Sequence, residues 1–180
     1  MEQAKITPDL NYLQIHSKKT PYPFTLRFSE NFWTFIGLWM AEGSYSKDRD
    51  VRLSIHSNEE ALFGHICREL FGNIAIYRKP NSQGSDIFIS SKILVTIMRN
   101  ILGLTPGSRT KSVPSLVYNL PRPHLAAFLR GYFSGDGSVN ISTPAPQVEV
   151  CTESKTLADD IVFLLSYFGI VAKVYNRKDR

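Results

Sequence analysis

At 180 residues, 43% of them hydrophobic, the chain is long enough for one substantial core or two small linked ones. Its formal net charge of +5 suits an anionic partner. No signal peptide is visible, no apolar run approaches the roughly 18 residues of a membrane span, and Cys67 and Cys151 fall among apolar periodic residues without metal-ligand spacing. The chain therefore reads as an intracellular protein with reduced cysteines and no membrane partner.

Residues 1–29 read as a lead-in: 1–28 are polar and carry Pro8, Pro21 and Pro23, which predicts an irregular stretch, and Ser29 is a good N-cap. A helix is expected from about Glu30 to Ala41, then a polar loop or hairpin tip over Tyr45–Asp50. Val51-Arg52-Leu53-Ser54-Ile55-His56 alternates apolar and polar residues, the pattern of a half-buried strand. Ser57 and Asn58 are placed to cap a helix containing Leu62, Phe63, Ile66, Cys67 and Leu70, closed at Gly72 by a left-handed cap. A second alternating strand, Ile74–Lys79, leads through a turn at Pro80–Ser85 to a third at Asp86–Ser90. A helix over Lys92–Leu102 ends at Gly103.

Residues 105–121 form a basic linker with Pro106, Gly107, Arg109 and Lys111, and Pro114 opens a short helix through Asn119. A long helix then runs to about Ser134. Ser138–Ser142 and Gln147–Thr152 are predicted to pair as strands around Pro144 and Pro146. Ser154 caps a helix through Phe168, Gly169 ends it, and Ile170–Arg177 is expected to form a further strand.

Two stretches in this succession resemble each other. Phe35-Ile36-Gly37-Leu38-Trp39-Met40-Ala41-Glu42-Gly43 is echoed by Leu129-Arg130-Gly131-Tyr132-Phe133-Ser134-Gly135-Asp136-Gly137. Each places a glycine (Gly37, Gly131) five residues before a carboxylate (Glu42, Asp136), followed by glycine and serine. Small residues let two helices approach backbone to backbone, which would bring both carboxylates to one end of the pair. A helix C-terminus carries partial negative charge and prefers cations. Two acids gathered there call for a positive partner, and a hard divalent cation is the simple one.

The likeness extends beyond the motifs. An offset of 97 places Phe71-Gly72 on Phe168-Gly169, Ser57 on Ser154, and Val51 and Leu53 on Val148 and Val150. The motif acids are offset by 94, so the second copy holds about three extra residues between motif and strand. Such a repeat implies two similar halves, 30–104 and 122–180, related by a pseudo-twofold axis. The first half continues after Lys79 with a strand and a helix that the second half lacks; about thirty further residues, carrying one strand, one amphipathic helix and a lysine, are expected beyond Arg180.

The paired motifs, their spacing and the intervening element order resemble the LAGLIDADG homing endonucleases in their monomeric, two-motif, intron- or intein-encoded form. The resemblance spans about 30–178 and implies an α+β fold: αββαββα halves, two saddle-like antiparallel β-sheets and the motif helices packed at the centre. It implies that Glu42 and Asp136 bind Mg²⁺, with Mn²⁺ or Ca²⁺ able to substitute for binding, and that the chain cuts both strands of a long double-stranded DNA target to leave staggered ends. Met40 and Ser134 stand where the family consensus has an inner acid that is not the metal ligand. Lys111-Ser112-Val113-Pro114, 25 residues before Asp136, is similar to a run in intein-borne members whose lysine joins the active-site solvent network, so the resemblance makes Lys111 the candidate basic residue near the first metal site.

The polar strand faces carry Arg52, Ser54, His56, Tyr77 and Lys79 in one half and Lys173, Tyr175 and Arg177 in the other. Such side chains suit phosphate and base-edge contacts, because a β-ribbon fits the major groove. His16, His65 and His124 share no ligand spacing with His56. An RNA maturase or a non-cleaving nucleic-acid binder of the same fold remains open. The chain is expected to be a monomer, unless a partner covers the incomplete second half.

Overall fold

A computed structural model describes residues 4–6, 12–15, 24–57, 59–72, 74–82, 84–142 and 145–176. The fold is α+β, with two related halves around a central pair of helices.

The pair is α1 (Glu30–Glu42) and α4 (Arg122–Asp136). Ser29 caps α1 by accepting from the Phe32 amide at 3.3 Å. The two helices meet at their glycines. A Cβ on Gly37 would overlap the Phe128 carbonyl and sit 2.8 Å from Tyr132 N; one on Gly131 would overlap the Thr34 carbonyl and sit 2.9 Å from Leu38 N. Further along, Gly135 lies against Ala41 and Glu42. Contacts that advance together along both helices make the packing parallel, so their C-termini coincide. Phe32, Phe35, Ile36, Leu38 and Trp39 on α1 and Phe128 and Tyr132 on α4 are fully buried.

In the first half, α1 runs directly into β4 (Gly43–Ser46), which pairs with β5 (Asp50–His56). After α2 (Glu60–Phe71) come β6 (Ala75–Pro80) and β7 (Gly84–Ser90), giving an antiparallel sheet in the order β4-β5-β7-β6. One face is core: Val51, Leu53, Ile55, Ile87 and Ile89 are buried. The other carries the polar residues. α3 (Lys92–Thr96) follows, capped by Ser91, and continues as a π-helical turn over Ile97–Ile101.

In the second half, α4 runs into β8 (Gly137–Asn140), which pairs with β9 (Gln147–Val150) ahead of α5 (Lys155–Ser166). The two halves share a register. Gly43 pairs with Leu53 and Gly137 with Val150; Ser46 pairs with Asp50 and Asn140 with Gln147. The motif offset of 94 and strand offset of 97 are therefore the same hairpin with three more residues in its turn.

Four local expectations are corrected. The stretch 1–28 is not wholly irregular, because β1 (Ala4–Ile6), β2 (Tyr12–Ile15) and β3 (Phe24–Arg27) pair as an antiparallel sheet whose Leu13 and Leu26 are buried. Ser57 does not cap α2; its first residue follows Glu59, which makes no side-chain cap. Asn58 lies outside the described residues. Gly72 closes α2 at φ −55°, not in the left-handed region, whereas Gly103 (φ +68°) and Gly169 (φ +74°) do take it.

The fourth correction concerns 170–177. No strand forms over residues 170–176, and Arg177 lies outside the described residues. The sheet order gives the reason. β6 joins its sheet only through β7, not through β5. The segment after α5 is the counterpart of β6, and no described strand follows to bridge it to β9. Val148, Val174 and Tyr175 are accordingly exposed, and Val150 is half-buried.

The helix seam makes a direct prediction. Gly37→Ala and Gly131→Ala each place a methyl against backbone, which cannot yield as a side chain does, and should destabilise by about 2–3 kcal/mol. Gly64→Ala, whose Cβ would meet only the end of the Arg68 side chain, is the control and should be neutral or stabilising. Urea midpoints check this; an unchanged midpoint for Gly37→Ala contradicts the packing.

Candidate active site

Glu42 and Asp136 are the last residues of α1 and α4, and the parallel seam brings them to one place. Both are half-buried, and neither helix carries a basic residue in its last turn. The cation comes from the linker. Lys111 is 7% exposed and its Nζ donates to the carbonyls of Met40 (2.8 Å) and Ala41 (3.1 Å), with the Trp39 ring 5.5 Å away. Those carbonyls belong to the end of α1, where backbone acceptors lack helical partners. An ammonium there satisfies them and offsets the helix dipole.

The electrostatics follow from this crowding. Burial first, then Asp136 and Glu59, push the Glu42 carboxyl above its ordinary value, while Lys111 opposes the rise. Burial also raises the Asp136 carboxyl against the pull of Lys111. Burial lowers the Lys111 ammonium, opposed by Asp136 and Glu42. One amine thus incompletely compensates two acids. Among the described residues there is no cluster of three or more His, Cys, Asp or Glu side chains that could hold a metal. The donor set is two carboxylates, which suits a hard divalent ion that completes its shell with water and substrate oxygens.

The polar face of the four-stranded sheet lies beyond β4. Arg52, Ser54 and His56 on β5 and Tyr77 and Lys79 on β6 share it. Tyr77 stacks on Phe88 with ring centroids 4.7 Å apart and planes 2° from parallel, and the Arg52 guanidinium lies 5.9 Å from the Phe88 centroid. Acids that sequence reading passed over are built into this face. Asp86 accepts from Arg52 (2.7 Å), Ser54 (2.9 Å) and Asn81 (3.2 Å). Burial alone would raise its carboxyl, but these hydrogen bonds and the Arg52 charge hold it below the ordinary value. Asp50 accepts from Tyr77 Oη at 3.3 Å and from Ser90. The strand register pairs Ser54 with Asp86 and Lys79 with Asp86; that pairing was the available signal, since alternation alone gives the face and not its neighbours. Lys173 and Tyr175 are exposed after α5 and do not join this surface as a strand.

The LAGLIDADG-like domain family matches residues 123–180. Among solved structures, I-DmoI in complex with DNA and Mn aligns with a TM-score of 0.58 at 15% identity, over 84% of this chain and 85% of that one. Residues 123–180 thus carry a LAGLIDADG-like domain, and the chain as a whole shares the I-DmoI fold. It is 30% identical over 177 residues to an uncharacterized protein of Methanocaldococcus jannaschii, covering 90% of this chain and 20% of that protein. It is 34% identical over 141 residues to the DNA polymerase II large subunit of Thermococcus kodakarensis (75% of this chain, 8% of the relative). It is 30% identical over 171 residues to the DNA-directed RNA polymerase subunit Rpo1C of M. jannaschii (92% and 18%). The chain spans a fifth or less of the length of these relatives. Among the described residues, no helix is long and apolar enough to cross a membrane.

The crowding of Glu42 and Asp136 has a measurable sign. A carboxyl whose folded-state pKa is raised binds its proton more readily folded than unfolded, so stability falls as pH rises through the folded value. Glu42→Gln and Asp136→Asn remove that loss. Without metal, each should stabilise the protein at pH 7 by about 1 kcal/mol or less, because half-exposed charges are screened. The gain should fade as pH falls to about 4, where the wild-type acids take up protons. Calorimetric melting at both pH values checks this; a destabilised variant at pH 7 contradicts it.

Proposed function

We propose that this chain is a site-specific homing endonuclease that hydrolyses both strands of a long double-stranded DNA target and leaves staggered ends. The observation that carries the reading is the delivery of Glu42 and Asp136, both half-buried, to the shared end of two parallel helices with the Lys111 amine beside them. A structural role would favour cations there, not two acids.

Glu42 and Asp136 would hold the divalent ion, Mg²⁺ in the working enzyme with Mn²⁺ or Ca²⁺ substituting for binding. When bound, such an ion supplies an activated water and charge relief at the phosphate. The chain's own residues do the rest. Lys111 commits two of its three N–H donors to Met40 and Ala41, leaving one for a phosphate oxygen or an ordered water as charge develops. Carboxylates from two halves serve two strands, so a single chain suffices and the active form is a monomer.

The sheet face reads the target. Arg52, held in one orientation by Asp86 and by its place over Phe88, is suited to a base edge in the major groove. Ser54, His56, Tyr77 and Lys79 extend the surface, and Lys173, Tyr175 and Arg177 are proposed to reach the other half-site. The match to small fractions of polymerase subunits supports an intein- or intron-borne origin.

Selection of cut sites from a random duplex library with Mg²⁺ tests the whole reading. Wild type should enrich one long site, while Glu42→Gln and Asp136→Asn should bind that site with near-wild-type affinity and leave it uncut. Absence of any enriched site would favour the maturase or non-cleaving reading. On the selected site, Arg52→Ala should cost about 1–3 kcal/mol of specific binding and relax preference at one base pair. A loss equal for all sequences would make Arg52 a phosphate contact.

A further inference from the structure

The linker that carries Lys111 is fastened to one short stretch, from Glu153 to Asp160. Ser108 Oγ donates to Glu153 Oε2 at 2.5 Å, and Arg109 Nε lies 3.5 Å from the same carboxylate. Ser154 Oγ donates to the Lys111 carbonyl at 2.6 Å and accepts from the Leu157 amide at 3.2 Å. Two residues past Lys111, the Val113 amide donates to Asp160 Oδ2 at 2.9 Å. All these partners lie between Glu153 and Asp160, from just before α5 to its middle, in the second half. The Lys111 ammonium, by contrast, sits on the end of α1, in the first.

Ser154 is 1% exposed, and its hydroxyl serves two partners at once. Capping α5 needs only an acceptor, which Asp, Asn or Thr would provide as well. Holding the Lys111 carbonyl needs an O–H donor. A lysine stem has many rotamers, so the ammonium finds the α1 carbonyls reproducibly only if its main chain is fixed. The neighbouring linker does not fix it alone: residues 105–110 are exposed.

We propose that Ser154, with Asp160 behind it, is a positioning residue for Lys111, and that α5 of the second half thereby sets the reach of the amine to the end of α1, beside the carboxylate pair that the two halves share. This rests on the reading of Lys111 as an active-site group. Ser154→Ala removes donor and acceptor, Ser154→Asp keeps the cap but lacks the donor, and Ser154→Thr keeps both.

The test is amine footprinting of the metal-free protein with a water-soluble acetylating ester, read by mass spectrometry with exposed Lys92 as internal reference. Ser154→Ala and Ser154→Asp should raise Lys111 labelling severalfold, and Ser154→Thr should leave it near wild type. If Ser154→Ala fails to fold, Asp160→Ala is read in the same way and should also raise labelling. On the selected DNA site, Ser154→Ala should slow single-turnover cutting about tenfold, as loss of a supporting hydrogen bond commonly does, with binding unchanged. Combined with Lys111→Met it should add nothing. Unchanged Lys111 labelling in the folded variants, a tolerated Ser154→Asp, or a further rate loss in the double variant would each overturn the proposal. If the wild type cuts no DNA, the footprint still decides the positioning, and only the endonuclease reading falls.

Discussion

The close approach of two helix backbones at Gly37 and Gly131 is the constraint on which the rest of the molecule depends. It fixes α1 and α4 in parallel, and parallel packing forces their last residues together. Glu42 and Asp136 therefore share a half-buried space at the negative ends of both helix dipoles, where neither would settle unaided. Lys111 relieves the conflict in part, by satisfying the Met40 and Ala41 carbonyls and facing both acids. A fold that concentrates unfavourable charge at one point, surrounded by a core of fully buried aromatics, spends stability where chemistry is to be done.

The same geometry aims the sheet. Because α1 passes into β4 at Gly43 and α4 into β8 at Gly137, each hairpin leaves the site in a register set by the helix end. The polar face of β5, β7 and β6 belongs to the sheet that β4 joins through β5. Its charges are not loose: Asp86 ties Arg52, Ser54 and Asn81 together, and Tyr77 stacks on Phe88. A surface ordered before its partner arrives loses less entropy on binding.

Much of this was legible in the sequence because it rests on periodicity and on a repeat. Glycine and acid spacing predicted the seam and the paired carboxylates, and alternation predicted β5 and its polar face. The failures have local causes. β4 is only four residues, Gly43-Ser44-Tyr45-Ser46, too short and polar to show a period, and its existence depends on pairing with β5. The three strands before Ser29 are similarly brief and owe their order to Leu13 and Leu26 reaching the core. Gly72 has the residue type of a left-handed cap, yet the chain leaves α2 without one. The strand expected at 170–177 has suitable residues, but among the described residues no strand lies beside 170–176, since its counterpart β6 is tied to the sheet through β7. Ser154 caps α5 as its position predicts, but its bond to the Lys111 carbonyl and the tie of Asp86 to Arg52 are not legible, because these partners lie 43 and 34 residues away in sequence.

The central claim is that the helix seam builds a divalent-metal site from Glu42 and Asp136. Anomalous diffraction from crystals of the protein grown with Mn²⁺ and its selected duplex tests it most directly. The account predicts manganese density within about 2.0–2.6 Å of carboxylate oxygens of Glu42 and Asp136, the range of hard-cation ligation, and none there in Glu42→Gln/Asp136→Asn crystals. Manganese found only at other acids, or persisting at this position without the two carboxylates, would contradict it.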